Sequence, residues 1–563
     1  MSAPRTPFYP MTHDDAVEMN ENLRWIAAGL HGKKLDLLFE GLINGENTTR
    51  LFREWWELTA EDNQTKYQRL CRWFALISRA WSDKVYTLRW PYYTENTTGA
   101  TAATPLADLA GKTASGCYTQ NDDNDFEWAD EDPMTWYVRA NALSLADGTM
   151  NVVAVEGMDE EFDITGNTAP VYTFGNALWM IHFQDGTYEY KSFATKQGTG
   201  MRPMACDVAP DNKKRDMTWH PTFDGSLITK DGQTYLTSGK GNSLAINVSG
   251  STGIGYARKW NAYEGLMSDT DRDWLINMWQ LRHFDLENSG ILEGCTNYNL
   301  DYTVAIAEEN VRSVVLTTAQ GANLLVGSTL DVGTAARGGQ IARAKITAIE
   351  TVTLDNTEYS RVTLDVAADF TVTAGAHAAT LPWFPGSTED LPGHKDGSLH
   401  NCTNGKTPAR ISGVEVITGA YAIGLDPLWN SDYDANRDPK SIYTVYACKD
   451  SEKQASSITS DYVSAGTFQS NATSWQYIKH FAIRNDGMLM PDALGASSTT
   501  FMKSAFGFSG SSGVRALWVF AYLGNTGDAG LAAAIGYLTP GSADWFGRPR
   551  LSGSGKKRGE WGA

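Results

Sequence analysis

Six rings and two polar side chains late in the chain have the chemistry to hold a partner without reacting with it. Trp429, Tyr433, Trp475, Tyr477, Tyr537 and Trp545 stand beside turn-forming residues. Planar rings placed there cover a sugar face or anchor a protein surface at small entropic cost. Asn525 and Asp528 lie in the polar run GNTGDAG, where they can hydrogen-bond what the rings stack against. The alternative for each ring is the core, and roughly half are expected to fill it. Asp432, Asp434, Asn436 and Asp438 alternate along the chain as the oxygen ligands of a calcium loop do. Arg437 stands where that loop needs Gly, and Tyr443 where it needs a closing Glu. A polar turn before Pro439 is therefore the plainer reading, with calcium the alternative. No other metal or cofactor is expected.

Reacting groups do not assemble along the sequence. There is no HExxH, no GxSxG elbow and no Walker A run, the patterns that would place a metal, a nucleophile or a phosphate cradle. Gly250, Gly253 and Gly255 are close-spaced but lack the order of a dinucleotide fingerprint, so a surface turn is expected. His394 and His400 share a loop with Asp390 and Asp396; two solvated histidines are the plainer reading than a metal pair. The chain is expected not to be an enzyme.

Composition narrows the partners. Of 563 residues, 19 are Trp, 24 Tyr and 20 Phe, and the formal net charge is −19. Phosphate attraction needs clustered Lys and Arg, so nucleic acid is excluded as a partner. Lys556, Lys557 and Arg558 form a basic run, read as a solvated end. The six cysteines, from Cys71 to Cys448, include no CxxC and read as buried thiols. No window nears the ~18 apolar residues of a membrane span, so membrane insertion is not expected. The opening MSAPRTPFYPMTHDD has no signal-peptide pattern.

The length allows roughly three or four domains to position these groups. Residues 1–84 read as a helical oligomerisation or attachment module. Met19, Leu23, Ile26 and Leu30 make one apolar stripe, and Leu35, Leu38, Phe39 and Leu42 a second. Leu51, Phe52, Trp55 and Trp56 mark a third piece; Leu70, Phe74, Ile77 and Trp81 a fourth. Over 85–250 the period becomes two, with hairpin turns at Asp185-Gly186 and Asp231-Gly232. The acidic run from Asn121 to Asp132 lacks the Gly and closing Glu of an EF-hand and reads as a solvated loop. Ser268, Asp269 and Asp271 predict a helix start before Trp274, Met278 and Leu281. Residues 312–381 read as an inserted small β-barrel with a turn at Asp355-Asn356. Residues 382–430 are dense in turn formers yet anchored by Trp383, Ile411, Val416, Leu425 and Trp429. They read as a long packed loop on a rigid scaffold.

Within that stretch, GSTEDLPG…TNGKTPARISGVEVITGAYAIGLD resembles the central part of C-type-lectin-like domains of the formylglycine-generating-enzyme type, as found in bacteriophage receptor-binding and tail-fibre proteins. Gly386, Ser387, Thr388, Asp390, Gly413, Glu415 and Gly419 keep the family pattern; Ala420, Tyr421 and Ala422 replace its Asn and Trp-rich run. His220, Pro221, Phe223 and Tyr235 match an earlier motif, as do Asn288, Ser289, Leu292 and Gly294 of a helix-ending turn. Leu517, Val519, Gly547, Arg548, Arg550 and Leu551 match the closing strands. The family's enzymatic branch needs closely spaced cysteines near its end, and here Cys448 is the last. The resemblance implies an α+β chain: the helical module, a β-rich domain over 85–250, and a C-type-lectin-like domain over 251–311 and 382–558, interrupted by the small barrel. It implies a virion protein made in a host cytoplasm, a receptor-binding fibre or spike that binds a bacterial surface glycan or protein as a homotrimer. The alternatives are a structural virion component that binds only other virion proteins, and a glycan depolymerase.

Overall fold

The computed structural model describes residues 32–60, 63–114, 131–391, 404–553 and 559. The stripe from Met19 to Leu30, the acidic run over 121–130, His394, His400 and the basic run at 556–558 lie outside the described residues.

The architecture is mostly β, and this overturns the expected α+β class with its helical module. Strands make up 38% and helices 16%, with six helices among the described residues. The stripes did fold as helices: α1 (Gly32–Ile43), α2 (Thr48–Leu58) and α3 (Lys66–Ala80). Asn47 caps α2, and Thr65 with Gln68 forms a capping box on α3. They do not stand as a unit. Phe52 and Trp73 pack their rings on Trp136 at 5.0 and 6.0 Å. Thr49 N donates to the Glu131 carboxylate at 2.9 Å, and Lys66 Nζ to Val153 O at 2.8 Å. The helices therefore form one layer over a four-stranded sheet built from Met150–Val155, Tyr137–Ser144, Val171–Asn176 and Met217–Pro221. Rings this large need a partner surface, and the sheet supplies it. No helix among the described residues is long and apolar enough to cross a membrane.

A five-stranded sheet carries the hairpin Trp179–Gln184 and Tyr188–Ala194 beside Val85–Pro91. After the short helix α4 (Gly250–Ala257) comes α5 (Asp269–His283), capped by Ser268 with a capping box to Asp271. Nearly every residue of α5 is buried, polar ones included. Asp271 accepts from His220 Nδ1 at 2.9 Å, Ser552 Oγ at 2.9 Å and Gly553 N at 3.0 Å. The helix start is thereby tied to a distant strand and to the end of the chain.

Residues 301–381 form a six-stranded sheet. Ile306 bridges Val315, so the strand order returns on itself and nearly closes. A ten-stranded sheet holds most of the late strands, centred on the 13-residue strand Tyr421–Tyr433. That strand lies in the stretch read as a packed loop. It pairs antiparallel with Ser441–Ala447 and Gly513–Val519, and parallel with Met267–Ser268 and Gly547–Pro549. Its register breaks between Gly424 and Trp429. A Cβ at Gly424 would sit 2.1 Å from Met267 O, so only glycine admits the neighbouring strand.

A buried polar knot joins these parts. The Glu415 carboxylate accepts from Gly386 N at 3.0 Å and Thr388 Oγ1 at 2.9 Å. Asp224 accepts from Thr418 Oγ1 at 2.6 Å and faces Arg548 Nε at 3.6 Å and Arg550 Nη1 at 3.8 Å. Arg550 also donates to Glu415 O at 2.7 Å and Pro221 O at 2.8 Å; Arg548 donates to Trp383 O at 3.1 Å. All four charged residues are at most 2% exposed. Gly386 turns at φ 79°, where a Cβ would come 2.6 Å from Lys240 Cα. Replacing Asp224 with Ala strands two buried guanidiniums, and the expected loss is about 3–5 kcal/mol. Urea unfolding should show it as a lower midpoint at unchanged slope; a loss below about 1 kcal/mol would remove the knot from the account of stability.

Candidate functional site

The structure separates the sequence-predicted rings into three places. Trp429 is 1% exposed and packs on Phe506 at 5.2 Å, a core position. Tyr433 lies at the far end of the same strand, where its N–H donates to Ser512 Oγ at 2.9 Å. The others gather. Trp475 meets Tyr537 edge-on at 6.3 Å, and Tyr537 is 40% exposed. Trp545 meets Tyr522 at 5.9 Å and Phe546 at 5.5 Å. Burial, and then the nearby Tyr522, push up the Tyr537 phenol.

Buried groups prop this aromatic face. Tyr421, 1% exposed, lies 5.6 Å from Tyr522. Asn525 is 6% exposed, and its Oδ1 accepts from Tyr522 N at 2.8 Å, so it holds the loop from inside. Thr526 N donates to Thr296 O at 2.8 Å. Asp528 is partly exposed; burial, and then the Asp528 carboxylate, raise the Tyr477 phenol. Arg337, from the six-stranded sheet, lies over the Trp545 ring at 4.1 Å. Its guanidinium also donates to Asn299 Oδ1 at 2.6 Å and Thr380 O at 3.0 Å. Tyr421, Tyr522 and Arg337 escaped the sequence reading; nothing local to them indicates which rings they meet. The face combines planar apolar surface with a rim of one carboxylate, one phenol and one guanidinium. Such a combination can stack on and hydrogen-bond a partner.

The candidate calcium loop is organised by Arg437. Its Nη1 pairs with Asp432 Oδ2 at 2.7 Å and its Nε donates to Pro439 O at 3.1 Å. Asp434 Oδ1 accepts from Asn436 N at 2.9 Å, and Asp438 Oδ1 from Asn471 Nδ2 at 2.7 Å. Among the described residues, no group of three or more His, Cys, Asp or Glu is placed to hold a metal ion.

A second polar cluster lies where the five-stranded sheet, α5 and the hairpin Trp475–Phe481 with Pro491–Leu494 meet. His182 Nε2 lies 2.5 Å from Glu189 Oε1, His480 Nε2 lies 3.1 Å from Glu189 Oε2, and His480 Nδ1 lies 2.7 Å from Asp492 Oδ1. Tyr93 stacks on the His480 ring at 4.7 Å. One carboxylate between two imidazoles favours one imidazolium. Burial pushes His182 down despite Glu189. At His480 burial also pushes down, but the bonds to Asp492 and Glu189 win and lift it to about 9. Burial would raise Glu189, but the two imidazoles hold it at about 2. Burial lifts Asp273 to about 6 and lowers Lys191. The Asp185-Gly186 hairpin signalled part of this: its register puts His182, Glu189 and Lys191 on one face. His480 is 291 residues from Glu189 and had no such signal.

A third group has the geometry of a nucleophile, base and orienting acid. Thr218 Oγ1 lies 3.0 Å from His220 Nε2, and His220 Nδ1 2.9 Å from Asp271 Oδ1. All three are at most 3% exposed, and Trp274 stacks on His220 at 4.0 Å. No substrate reaches a group sealed in this way; its evident work is to anchor the start of α5. No family model matches the chain, and no curated protein matches it. Nothing in the comparisons or in these groups points to an enzyme.

The His480 lift sets a pH dependence. A pKa raised from about 6.5 to about 9 contributes stability that is complete below about 6.5 and lost as pH rises through about 9. The depressed Glu189 contributes above about 4.5 and is lost only as pH falls through about 2. The thermal midpoint should therefore decline between pH 6.5 and 9, by the equivalent of about 3 kcal/mol. His480→Gln should flatten that alkaline decline; an unchanged pH profile in the variant would place the decline elsewhere.

Proposed function

We propose that this protein is a bacteriophage virion protein, a receptor-binding fibre or spike that holds a bacterial surface glycan or protein non-covalently through the late aromatic face. The observation that carries the reading is the contrast within one ring cluster. Tyr537 is 40% exposed while the rings and amide beneath, Tyr421 and Asn525, are 1% and 6% exposed. Rings fixed from below and open above lose little freedom when a partner covers them. The virion assignment is supported by the sequence resemblance, whose motif residues Gly386, Thr388, Glu415, Arg548 and Arg550 meet in the buried knot.

The protein works as a homotrimer, so that weak single sites add. Its other partners are neighbouring virion proteins, and its location is the particle. Neither catalysis nor a cofactor enters this reading.

Truncating a ring that anchors an interface costs about 1–2 kcal/mol or more. Tyr537→Ala and Trp475→Ala should each weaken attachment of the purified protein to host cells about ten- to thirtyfold, with folding unchanged. Wild-type attachment in both variants would leave a structural virion role as the better reading. Light scattering should report three copies per particle of the isolated protein; a monomer at micromolar concentration would rule the trimer out.

A further inference from the structure

We infer that the cavity between the five-stranded sheet, α5 and the late hairpin is a second binding site, and that it takes the diol edge of a neutral sugar. This does not rest on the aromatic face, which shares the strand Trp475–Phe481 with the cavity but none of its lining residues. The cavity has about 60 Å³ of accessible space and opens to solvent on one side. That is room for more than one hydroxyl-sized group, not for a whole oligosaccharide.

Two groups on its wall have hydrogen-bonding capacity to spare. Lys191 is 6% exposed, and its Nζ donates to Asn277 Oδ1 at 2.7 Å and Gln280 Oε1 at 2.9 Å. An ammonium has three N–H donors, and the third has no acceptor among the described residues. Asp273 Oδ2 accepts from Asn277 Nδ2 at 3.1 Å; its other oxygen accepts nothing among the described residues. Lys191 and Asp273 do not pair with each other. The Lys191 ammonium is buried and short of a partner, which is costly; the Asp273 carboxylate is only partly buried, and a ligand that meets both recovers the cost at Lys191.

The remaining wall selects the ligand's charge. Glu189 and Asp273 oppose an anion; Lys191, His480 and, at the rim, Lys479 and Arg484 oppose a cation. A hydroxyl does what neither ion can: it accepts from Lys191 and donates to Asp273. Adjacent hydroxyls on a ring do so side by side. Trp90, Tyr93 and Phe501 supply apolar surface for the ring's C–H face. Pockets where separate units meet, apolar with a few convergent polar groups, are where small ligands bind.

Saturation-transfer NMR on the full chain tests this with neutral methyl glycosides of glucose, galactose, mannose and N-acetylglucosamine, beside anionic glucuronate and cationic glucosamine. At least one neutral glycoside should receive saturation, and its affinity should fall at least tenfold in Asp273→Asn, which keeps the side-chain shape. Phe501→Ala, at the cavity mouth, should weaken it about threefold or more and serves as the second variant should Asp273→Asn not fold. In Tyr537→Ala the transfer that depends on Asp273 should persist. Transfer to none of the neutral glycosides overturns the proposal, as does transfer confined to the charged sugars. Binding that survives both cavity variants but is lost in Tyr537→Ala assigns the sugar to the aromatic face and overturns the second site while sparing the first.

Discussion

Four charges taken out of water hold this fold together. Asp224, Glu415, Arg548 and Arg550 come from three remote parts of the chain and meet where solvent does not reach. Desolvation makes such a meeting unfavourable unless nearly every lone pair and proton is used. Here the partners are mainly main-chain groups: the Gly386 amide and the carbonyls of Pro221, Trp383 and Glu415. The cost of leaving any of them unmet is what makes the arrangement specific. These bonds fix the relative placement of the segment near 386, the short hairpin Ala409–Ile411 with Val414–Val416, and the last strand Gly547–Pro549, although Arg548 Nε and Nη1 make no hydrogen bond among the described residues.

That placement governs what lies outside it. The last strand runs parallel to Tyr421–Tyr433, whose first residue carries the ring beneath the aromatic face. The chain then passes through Ser552 and Gly553 to the Asp271 carboxylate, which fixes the start of α5. From α5, Asn277 and Gln280 reach Lys191 in the five-stranded sheet. The face and the cavity are thus supported by one continuous set of buried polar contacts, although they share no residue.

Much of the local structure was legible in the sequence. Asp185-Gly186 turns the hairpin it predicted, and Ser268 with Asp271 begins α5. The helical stripes of 35–81 are helices. What could not be read was which surfaces meet. Trp136 follows the stripes by more than fifty positions, so the helices read as a module when they are a layer on a sheet. Trp429 and Tyr537 look alike in sequence, both rings near breakers. One is core because its strand is buried on both faces from Tyr421 to Trp429, while the other is 40% exposed. The strand Tyr421–Tyr433 was itself read as loop, since Gly424, Asp426 and Pro427 oppose regular pairing; buried neighbours on both sides override them. His480 joins Glu189 across nearly the whole fold, and periodicity carries no trace of such a meeting.

The six-stranded sheet begins and ends at one doorway. Asp301 pairs with Ala379, and Leu300 N–H donates to Thr380 Oγ1 at 2.9 Å, so chain entry and exit stand shoulder to shoulder. A unit attached in this way can be swapped for a shorter or longer one at little strain to its host. Yet Arg337 reaches out of it to lie on Trp545. Exchange of the unit would therefore alter the neighbouring ring surface while the scaffold beneath stayed as it was.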